Sequence, residues 1–282
     1  VKALSDAADG VQSAKNRIAG YALRLKTRQE KTQALQRNLD GVSVQLRTLE
    51  AKANMLREME RDFEGFSKAV RLVMQEAARG ALSGVHGPVS KLIRVEDRYT
   101  TAIETALGAA MQNIIVDDEA SGKAAIQLLK RRDAGRATFL PLSTVTGRRL
   151  SEPSLANMPG YVGVASELAQ TDGRYQGILE NLLGRTVIAE TLDNAIAMAR
   201  KTGNRVRIVT LDGQVMNPGG SMTGGSSAKS AGVLSRANEL KRLEQERGKL
   251  LDTQSDYKKS LQQAQSQLAE TEYEIKTIGA EL

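Results

Sequence analysis

Two long stretches of this 282-residue chain carry a continuous heptad repeat and contain no proline. All five prolines fall between residues 88 and 218, and proline breaks helix interiors. The flanks 1–87 and 219–282 are therefore predicted to be helical around a globular middle. In the N-terminal flank the a positions are Leu4, Val11, Ile18, Leu25, Thr32, Leu39, Leu46 and Ala53, and the d positions are Ala7, Ala14, Tyr21, Arg28, Leu35, Val42, Leu49 and Leu56. This pattern is typical of a coiled coil.

The C-terminal flank repeats the pattern, with a positions Leu240, Arg247, Gln254, Leu261, Leu268, Ile275 and Leu282, and d positions Leu243, Leu250, Tyr257, Ala264, Thr271 and Ile278. Because both flanks leave the same globule, the simplest pairing is antiparallel and within one chain. Pairing with another molecule is the alternative. Both heptads continue to the ends of the sequence, so we expect a piece of a longer coiled coil.

Composition excludes several classes of function. Aromatic residues make up only 3% of the chain, which is low for a single compact core of this length. Cysteine is absent, which excludes disulfides and Cys-ligated zinc, and His86 is the only histidine. Apolar runs are too short for a membrane span, and we expect no membrane association. The net charge of +7 permits contact with nucleic acid without requiring it.

The middle of the chain contains an internal repeat. Residues 98–108 and 174–184 share five of eleven residues, and each copy is followed by strand-like, helix-like and strand-like runs. The sequence therefore predicts two related α/β lobes. The predicted boundaries are 1–80 for the N-terminal arm, 81–142 for lobe one, 143–160 for a linker, 161–226 for lobe two within a globule ending at 232, and 233–282 for the C-terminal arm.

Lobe two ends in two Gly-Gly pairs, Gly219-Gly220 and Gly224-Gly225. Bare backbone of this kind either cradles phosphate, lets another chain approach closely, or forms a flexible linker. No P-loop or dinucleotide-binding motif is present. The acidic run 117–119 lies between a predicted strand and helix, so we interpret it as a helix cap rather than a metal site, and His86 as a loop or packing residue.

The middle segment resembles the hinge domain of structural maintenance of chromosomes (SMC) proteins, of the prokaryotic condensin type. The residues that carry the resemblance are 84–89, 102–108, 112–116, 135–142, 183–186 and 207–213 with the glycine-rich tail to 225. The resemblance implies a two-lobed α/β (α+β) hinge globule flanked by a long antiparallel coiled coil. It also implies a homodimer in which lobe one of each chain meets lobe two of the other.

The resemblance further implies a role in chromosome condensation and segregation, in the cytoplasm and associated with the nucleoid. The hinge itself is expected to be no enzyme and to need no cofactor or metal. ATP and magnesium, and kleisin-type and accessory subunits, are implied only for the ATPase head. The predicted dimer interface consists of Gly219, Gly220, Ser221, Met222, Gly224 and Gly225. The sequence lacks the nucleophile–base pair or metal ligands that an enzyme would need, and it lacks the cysteines that would close a coiled-coil tip around a metal.

Weak, non-specific DNA contact is a further expectation from the family, and a module that mainly binds DNA is the alternative function. The candidate residues are Lys130, Arg131, Arg132, Arg136, Arg148 and Arg149. A second basic cluster consists of Arg200, Lys201, Arg205 and Arg207. Charge clusters of this size also occur on ordinary solvated surfaces, so the sequence leaves both interpretations open.

Overall fold

A computed structural model describes the backbone of residues 2–225 and 232–281, and the side chains of 10–225 and 232–279. The seam residues Leu4, Ala7 and Leu282 lie outside the described side chains. The helices are α1 (Lys2–Arg61), α2 (Lys68–Ala78), α3 (Val89–Leu92), α4 (Asp97–Leu107), α5 (Glu119–Arg131), α6 (Pro153–Ala156), α7 (Gln176–Leu183), α8 (Leu192–Lys201) and α9 (Val233–Glu281). The strands are β1 (Val85–Pro88), β2 (Ile93–Val95), β3 (Ile114–Val116), β4 (Phe139–Pro141), β5 (Tyr161–Val164), β6 (Ala169–Thr171), β7 (Thr186–Ala189), β8 (Arg207–Thr210), β9 (Val215–Met216) and β10 (Met222–Thr223).

The chain forms two compact units, Val1–Met55 with Lys241–Leu282, and Leu56–Leu240. The first unit is a pair of long helices from α1 and α9. The second contains both lobes. Its start at Leu56 differs from the sequence-based boundary at 80/81, because α1 ends at Arg61 and the buried face of α2, with Val70 and Val73, packs into the core of lobe one.

The two long helices run antiparallel within one chain, as the heptads predicted. Arg247 pairs with Glu50 at 3.2 Å, and Gln254 donates to Ser43 at 3.0 Å, so a step of seven residues along α9 matches seven back along α1. From Tyr21 to Leu56 every predicted a and d residue is buried or half-buried. Non-seam apolar residues such as Val44 are exposed.

Polar residues in the seam meet one another. Arg28, at a d position, donates to the carbonyl oxygen of Gln267 and the hydroxyl of Thr271, which is itself a d residue and fully buried. With 28 opposite 271, the ten remaining residues of α9 reach only to about residue 18 of α1. This explains why the predicted seam residues Val11 and Ile18 are exposed.

The lobes repeat one topology, with equivalent strands offset by 76 residues at β1 and β5 and by fewer further along the chain. In lobe one, β1 pairs antiparallel with β3 and β3 parallel with β4; in lobe two, β5 pairs antiparallel with β7 and β7 parallel with β8. Each first strand carries a register shift before a glycine, Gly87 or Gly163. Strands β2 and β6 pair with each other across the lobes, and α4 and α7 share the core between them.

Lobe two has an additional hairpin. Strands β9 and β10 extend its sheet to the order β10-β9-β8-β7-β5, whereas the sheet of lobe one has the order β1-β3-β4. The segment predicted as a linker is partly ordered by α6, whose Leu155 is buried in the core of lobe two. The described helices include none that is long and apolar enough to cross a membrane.

Candidate dimer and nucleic-acid interfaces

The predicted interface residues form the β9–β10 hairpin and its continuation at the edge of the lobe-two sheet. The turn is closed by Asn217 N–H donating to Ser221 O at 2.8 Å and Gly220 N–H donating to Asn217 O at 3.0 Å. Gly219 and Gly220 have φ values of 87° and 90°, a region that side-chain-bearing residues rarely adopt. These two glycines are therefore needed for the turn itself.

Within the part of the chain that the structure describes, strand β10 forms the edge of the sheet and directs backbone groups away from β9. Met222 is opposite Met216 and Thr223 opposite Val215, and the bond from Asn217 to Ser221 places the next bonded pair at Thr223. The N–H and C=O groups of Met222 and Gly224 therefore point away from β9. The Met222 side chain is 54% exposed, and Ser221, Gly224 and Gly225 are exposed as well.

The β9–β10 backbone ladder ends at the pair Val215 and Thr223, and beyond it the side chain of Gln214 makes the hydrogen bonds. Its Oε1 accepts from Gly225 N–H at 2.9 Å, and its Nε2 donates to Gly225 O at 3.3 Å. A Cβ at Gly224 would overlap the amide oxygen of Gln214. The Gln214 side chain therefore passes Gly224 on its way to Gly225, and a side chain at position 224 would be in its path.

Each of the four predicted glycines therefore has a reason inside its own chain. Gly225 has a φ of 138°, so it shares the left-handed half of the map with Gly219 and Gly220. Replacing all four with alanine would distort the hairpin as well as any contact with a second chain. Their place at a chain–chain interface remains a prediction.

Lobe one offers a complementary edge at β4. Ile114 N–H donates to Thr138 O at 2.8 Å, and Leu142 N–H donates to Val116 O at 2.9 Å. By alternation, Phe139 directs its N–H and C=O away from β3, whereas Pro141 has no N–H and its carbonyl accepts from Val145 N–H at 3.0 Å. Strand β4 corresponds to β8 in the repeat, and β8 is covered by the hairpin that lobe one lacks.

A carboxylate that the sequence did not single out caps the long helix α9. Glu104 of α4 accepts from Leu234 N–H at 2.8 Å and Ser235 N–H at 3.1 Å, and from the Ser235 hydroxyl at 3.3 Å. A Cβ at Gly232 would overlap both carboxylate oxygens. Asn238 adds bonds to Val95 O and Thr100 Oγ1, both at 3.0 Å. The start of α9 is thereby fixed to lobe one.

His86 joins the lobes. Its Nε2 lies 2.8 Å from Asp117 Oδ1 and its Nδ1 lies 3.1 Å from the hydroxyl of Tyr175, a residue of lobe two that is 4% exposed. Asp118 caps α5 by accepting from Ser121 N–H at 2.8 Å, a bond that lowers the pKa of the Asp118 carboxyl. The interpretation of the acidic run as a helix cap is confirmed at Asp118. Within the described residues, no three His, Asp or Glu side chains gather in a metal-binding arrangement.

The predicted DNA contacts lie in two places. Lys130, Arg131, Arg132 and Arg136 are exposed at and after the end of α5. Arg132 also lines a groove of about 560 Å³ with Arg61, Asp62, Lys68 and Arg71, beside Leu72, Gln75 and Ala134. Four cations and one carboxylate line this groove, and the carboxylate of Asp62 pairs with Arg61 at 3.2 Å.

Arg148 and Arg149 lie beside lobe two. Arg149 donates to Glu180 at 2.7 Å, and this bond raises the pKa of Arg149 and lowers that of Glu180. In the second basic cluster, Arg207 donates to Ala106 O at 2.8 Å and so ties lobe two to lobe one. Arg200, Lys201 and Arg205 are exposed. The α5 cluster of Lys130, Arg131, Arg132 and Arg136 thus adjoins a basic groove, whereas Arg207 of the second cluster is held by a contact inside the chain.

Comparison with known proteins agrees with this architecture. A family model described as "SMC proteins Flexible Hinge Domain" matches residues 82–199. The Chromosome partition protein Smc of Bacillus subtilis is 43% identical over 232 residues, which are 81% of this chain and 18% of that protein. The chain thus spans about a fifth of the length of this curated relative.

Solved structures share the fold. The crystal structure of an asymmetric dimer of the Geobacillus stearothermophilus SMC hinge domain matches with a TM-score of 0.78 and 38% identity, covering 86% of this chain and 99% of that one. The Pyrococcus furiosus Smc hinge domain with an extended coiled coil matches in fold, with a TM-score of 0.51 and 23% identity over 96% and 98% of the two chains. The chain belongs to the SMC family, in which it is a hinge domain with adjoining coiled-coil segments and not an ATPase head.

Proposed function

We propose that this hinge joins two copies of the chain by pairing the β10 edge of one with the β4 edge of the other. The observation that carries the proposal is that the backbone groups of Met222 and Gly224 face away from β9 at an exposed sheet edge, with no partner among the described residues. An edge strand of this kind is a template for pairing with another chain, with about 4.8 Å between backbones.

The two lobes of one chain supply two unlike edges. When β10 of the first copy meets β4 of the second, a twofold axis brings β10 of the second to β4 of the first. Both contacts then use the same pair of surfaces, and the assembly closes at two chains. The Geobacillus stearothermophilus hinge, which matches 86% of this chain, is also described as a dimer, in that crystal an asymmetric one.

A proline at position 222 tests the β10 edge. The Met222 N–H points away from β9, so Met222→Pro removes a donor from the free edge without removing one from the β9 ladder. Met222→Thr is the matched control, because it shortens the side chain but keeps the N–H and a strand-forming residue. Sedimentation equilibrium should show a weaker dimer, by about tenfold or more, for the proline variant than for the threonine variant.

If the proline variant associates as tightly as the unchanged chain, β10 is not the pairing strand. If both variants weaken the dimer equally, the Met222 side chain rather than the backbone makes the contact.

We also propose weak, non-specific DNA contact at the α5 cluster and the adjoining groove. Arg61, Lys68, Arg71 and Arg132 line one open groove from three separate elements, and Lys130 and Arg131 extend the positive surface along α5. Several cations on one open face suit the regularly spaced phosphates of a duplex. No base-stacking contribution is expected, since aromatic residues are scarce.

The repeat provides a matched control for this second proposal. Lys130→Glu, Arg131→Glu and Arg132→Glu together should weaken DNA binding in anisotropy titrations at low salt. The control combines Arg200→Glu, Lys201→Glu and Arg205→Glu, which change the same charge at the equivalent end of α8. Each phosphate contact should contribute about −0.9 to the slope of log K against log salt. Equal losses in both triple variants would mean that total charge, not the groove, governs binding.

In the whole protein, we propose that this hinge acts in chromosome partition, as the name of the Bacillus subtilis relative describes. The hinge would then join two arms in the cytoplasm, at the nucleoid. ATP, magnesium and kleisin-type subunits would act at a head outside this sequence.

A further inference from the structure

Gly224 and Gly225 follow β10 but lie beyond the last backbone pair of the β9–β10 ladder. Strand β9 begins at Val215, which is opposite Thr223. Before Val215 the chain turns, with Gly213 N–H donating to Thr210 O at 2.9 Å. The backbone that would pair with Gly225 in a longer ladder is therefore committed to the turn.

The side chain of Gln214 takes that place. An amide carries one acceptor and two donors, and it presents them here to Gly225 as a neighbouring strand would. The Gln214 backbone is itself fixed, because its N–H donates to Thr210 Oγ1 and its carbonyl accepts from Thr210 N–H, both at 2.8 Å. The amide thus extends from a rigid turn.

We propose that Gln214 is a positioning residue for the hinge interface, which holds residues 224–225 as a continuation of β10. With the Gly225 groups turned toward Gln214, the N–H and C=O of Gly224 face the free edge in line with those of Met222. The edge then presents two residues to a second chain instead of one. This inference rests on the proposed dimer through β10.

Gly224 is part of the same arrangement. Its φ lies outside the left-handed region, so alanine is compatible with its backbone. The added Cβ would nevertheless overlap the Gln214 amide oxygen. Alanine at position 224 should therefore disturb the interface only while the Gln214 amide is present.

A double-mutant cycle tests this coupling. Gln214→Ala and Gly224→Ala should each weaken dimerisation by about a hundredfold, because each dimer contains the contact twice and loss of these two neutral hydrogen bonds corresponds to about tenfold per contact. The double variant should be no weaker than Gln214→Ala alone. Gln214→Glu keeps the acceptor for Gly225 N–H but not the donor, and should give an intermediate dissociation constant.

Two further measurements separate positioning from general stability. Hydrogen exchange of the Gly225 amide should be faster in Gln214→Ala, while the thermal midpoint of the dilute, monomeric chain stays within about 2 °C of the unchanged protein. A midpoint that falls in parallel with dimer affinity would overturn the inference in favour of a general structural role.

Met222→Pro, analysed in the same sedimentation series, distinguishes the inference from the function on which it rests. Loss of the dimer in Met222→Pro with an unchanged dissociation constant in Gln214→Ala overturns the role of Gln214 alone. Unchanged association in both variants overturns the β10 interface, and the inference with it. Additive losses in the cycle would also contradict the proposed coupling.

Discussion

Removal of the Glu104 carboxylate should loosen the start of α9 more than any surface charge change in lobe one. The side chain accepts two backbone N–H groups of the first helical turn and one hydroxyl. Hydrogen bonds to a charged group contribute about 1.5–3 kcal/mol each, and loss of an N-cap costs about 0.5–2 kcal/mol. These effects overlap, so we expect Glu104→Ala to lower the free energy of unfolding by about 3 kcal/mol.

The neutral isostere separates charge from hydrogen bonding. Glu104→Gln keeps one oxygen acceptor but loses the charge that interacts favourably with the helix N-terminus, which is worth about 0.3–1 kcal/mol. Its cost should therefore be about 1 kcal/mol, clearly below that of alanine. Gly232→Ala should resemble Glu104→Ala, since its Cβ would overlap the carboxylate.

Thermal unfolding followed by circular dichroism measures these effects, with hydrogen exchange at Leu234 and Ser235 as the local readout. For a unit of this size, 3 kcal/mol corresponds to a fall in midpoint of about 6–12 °C. Glu96→Ala is the control, because Glu96 makes an exposed pair with Arg98 and should change stability by less than about 1 kcal/mol. Equal effects of Glu104→Gln and Glu104→Ala, or an effect of Glu104→Ala below about 1 kcal/mol, would refute the capping argument.

Three further changes test other contacts. Ser43→Cys with Gln254→Cys should crosslink within one chain on a non-reducing gel, whereas Ser43→Cys with Leu261→Cys, one heptad further, should not. Crosslinks that form only between chains would contradict the intramolecular pairing. Arg149→Ala should move the pKa of Glu180 up toward its ordinary value in an NMR titration. Because the pKa of Glu180 is lowered in the folded chain, its pair with Arg149 stabilises the fold at pH values above the ordinary carboxyl pKa. That stabilisation is lost as the pH falls through the lowered pKa. His86→Phe should cost about 1–3 kcal/mol by leaving the buried Tyr175 hydroxyl unpaired, and less in combination with Tyr175→Phe; additive costs in thermal unfolding would argue against the contact between the lobes.

The helical arms could be predicted in detail because a heptad seam is a local pattern. Every residue that the heptads place in the seam from Leu25 to Leu56 is buried or half-buried. The end of α1 was missed, although residues 62–67 carry two local signals for it: Gly65, with a φ of 90°, departs from helical backbone, and Ser67 is the N-cap of α2. Tertiary packing of α2 against lobe one decides that boundary.

The two lobes could be predicted from their repeated segment, although the strands β1, β5, β6 and β10 were not. Strands β1, β5 and β6 are three or four residues long and show no clear alternation, so their sequences resemble loops. The 76-residue offset between residues 98 and 174 was a usable signal, because it also relates Gly87 to Gly163. Applied across the whole segment, it aligns β1 with β5 and β2 with β6.

Side chains that bind distant backbone could not be predicted. Glu104 meets α9 across about 130 positions of sequence, and its capping role depends on how α4 packs in the shared core. Gln214 is closer to Gly225 in sequence, but its reach past Gly224 depends on the turn at Gly213. In both cases glycine marks the place where a side chain passes close to the backbone, at Gly232 and Gly224.

The unequal lobes explain how a duplicated fold can specify a closed pair. If lobe two also ended at the equivalent of β4, the two edges proposed to pair would be alike and pairing between them would have no fixed direction. The β9–β10 hairpin covers the edge in lobe two and presents a new one, so each chain carries one edge of each kind. Pairing between unlike edges is then directional, and a twofold arrangement pairs the β10 edge of each chain with the β4 edge of the other. In the proposed dimer, the departure from internal symmetry within the chain is therefore what sets the symmetry between chains.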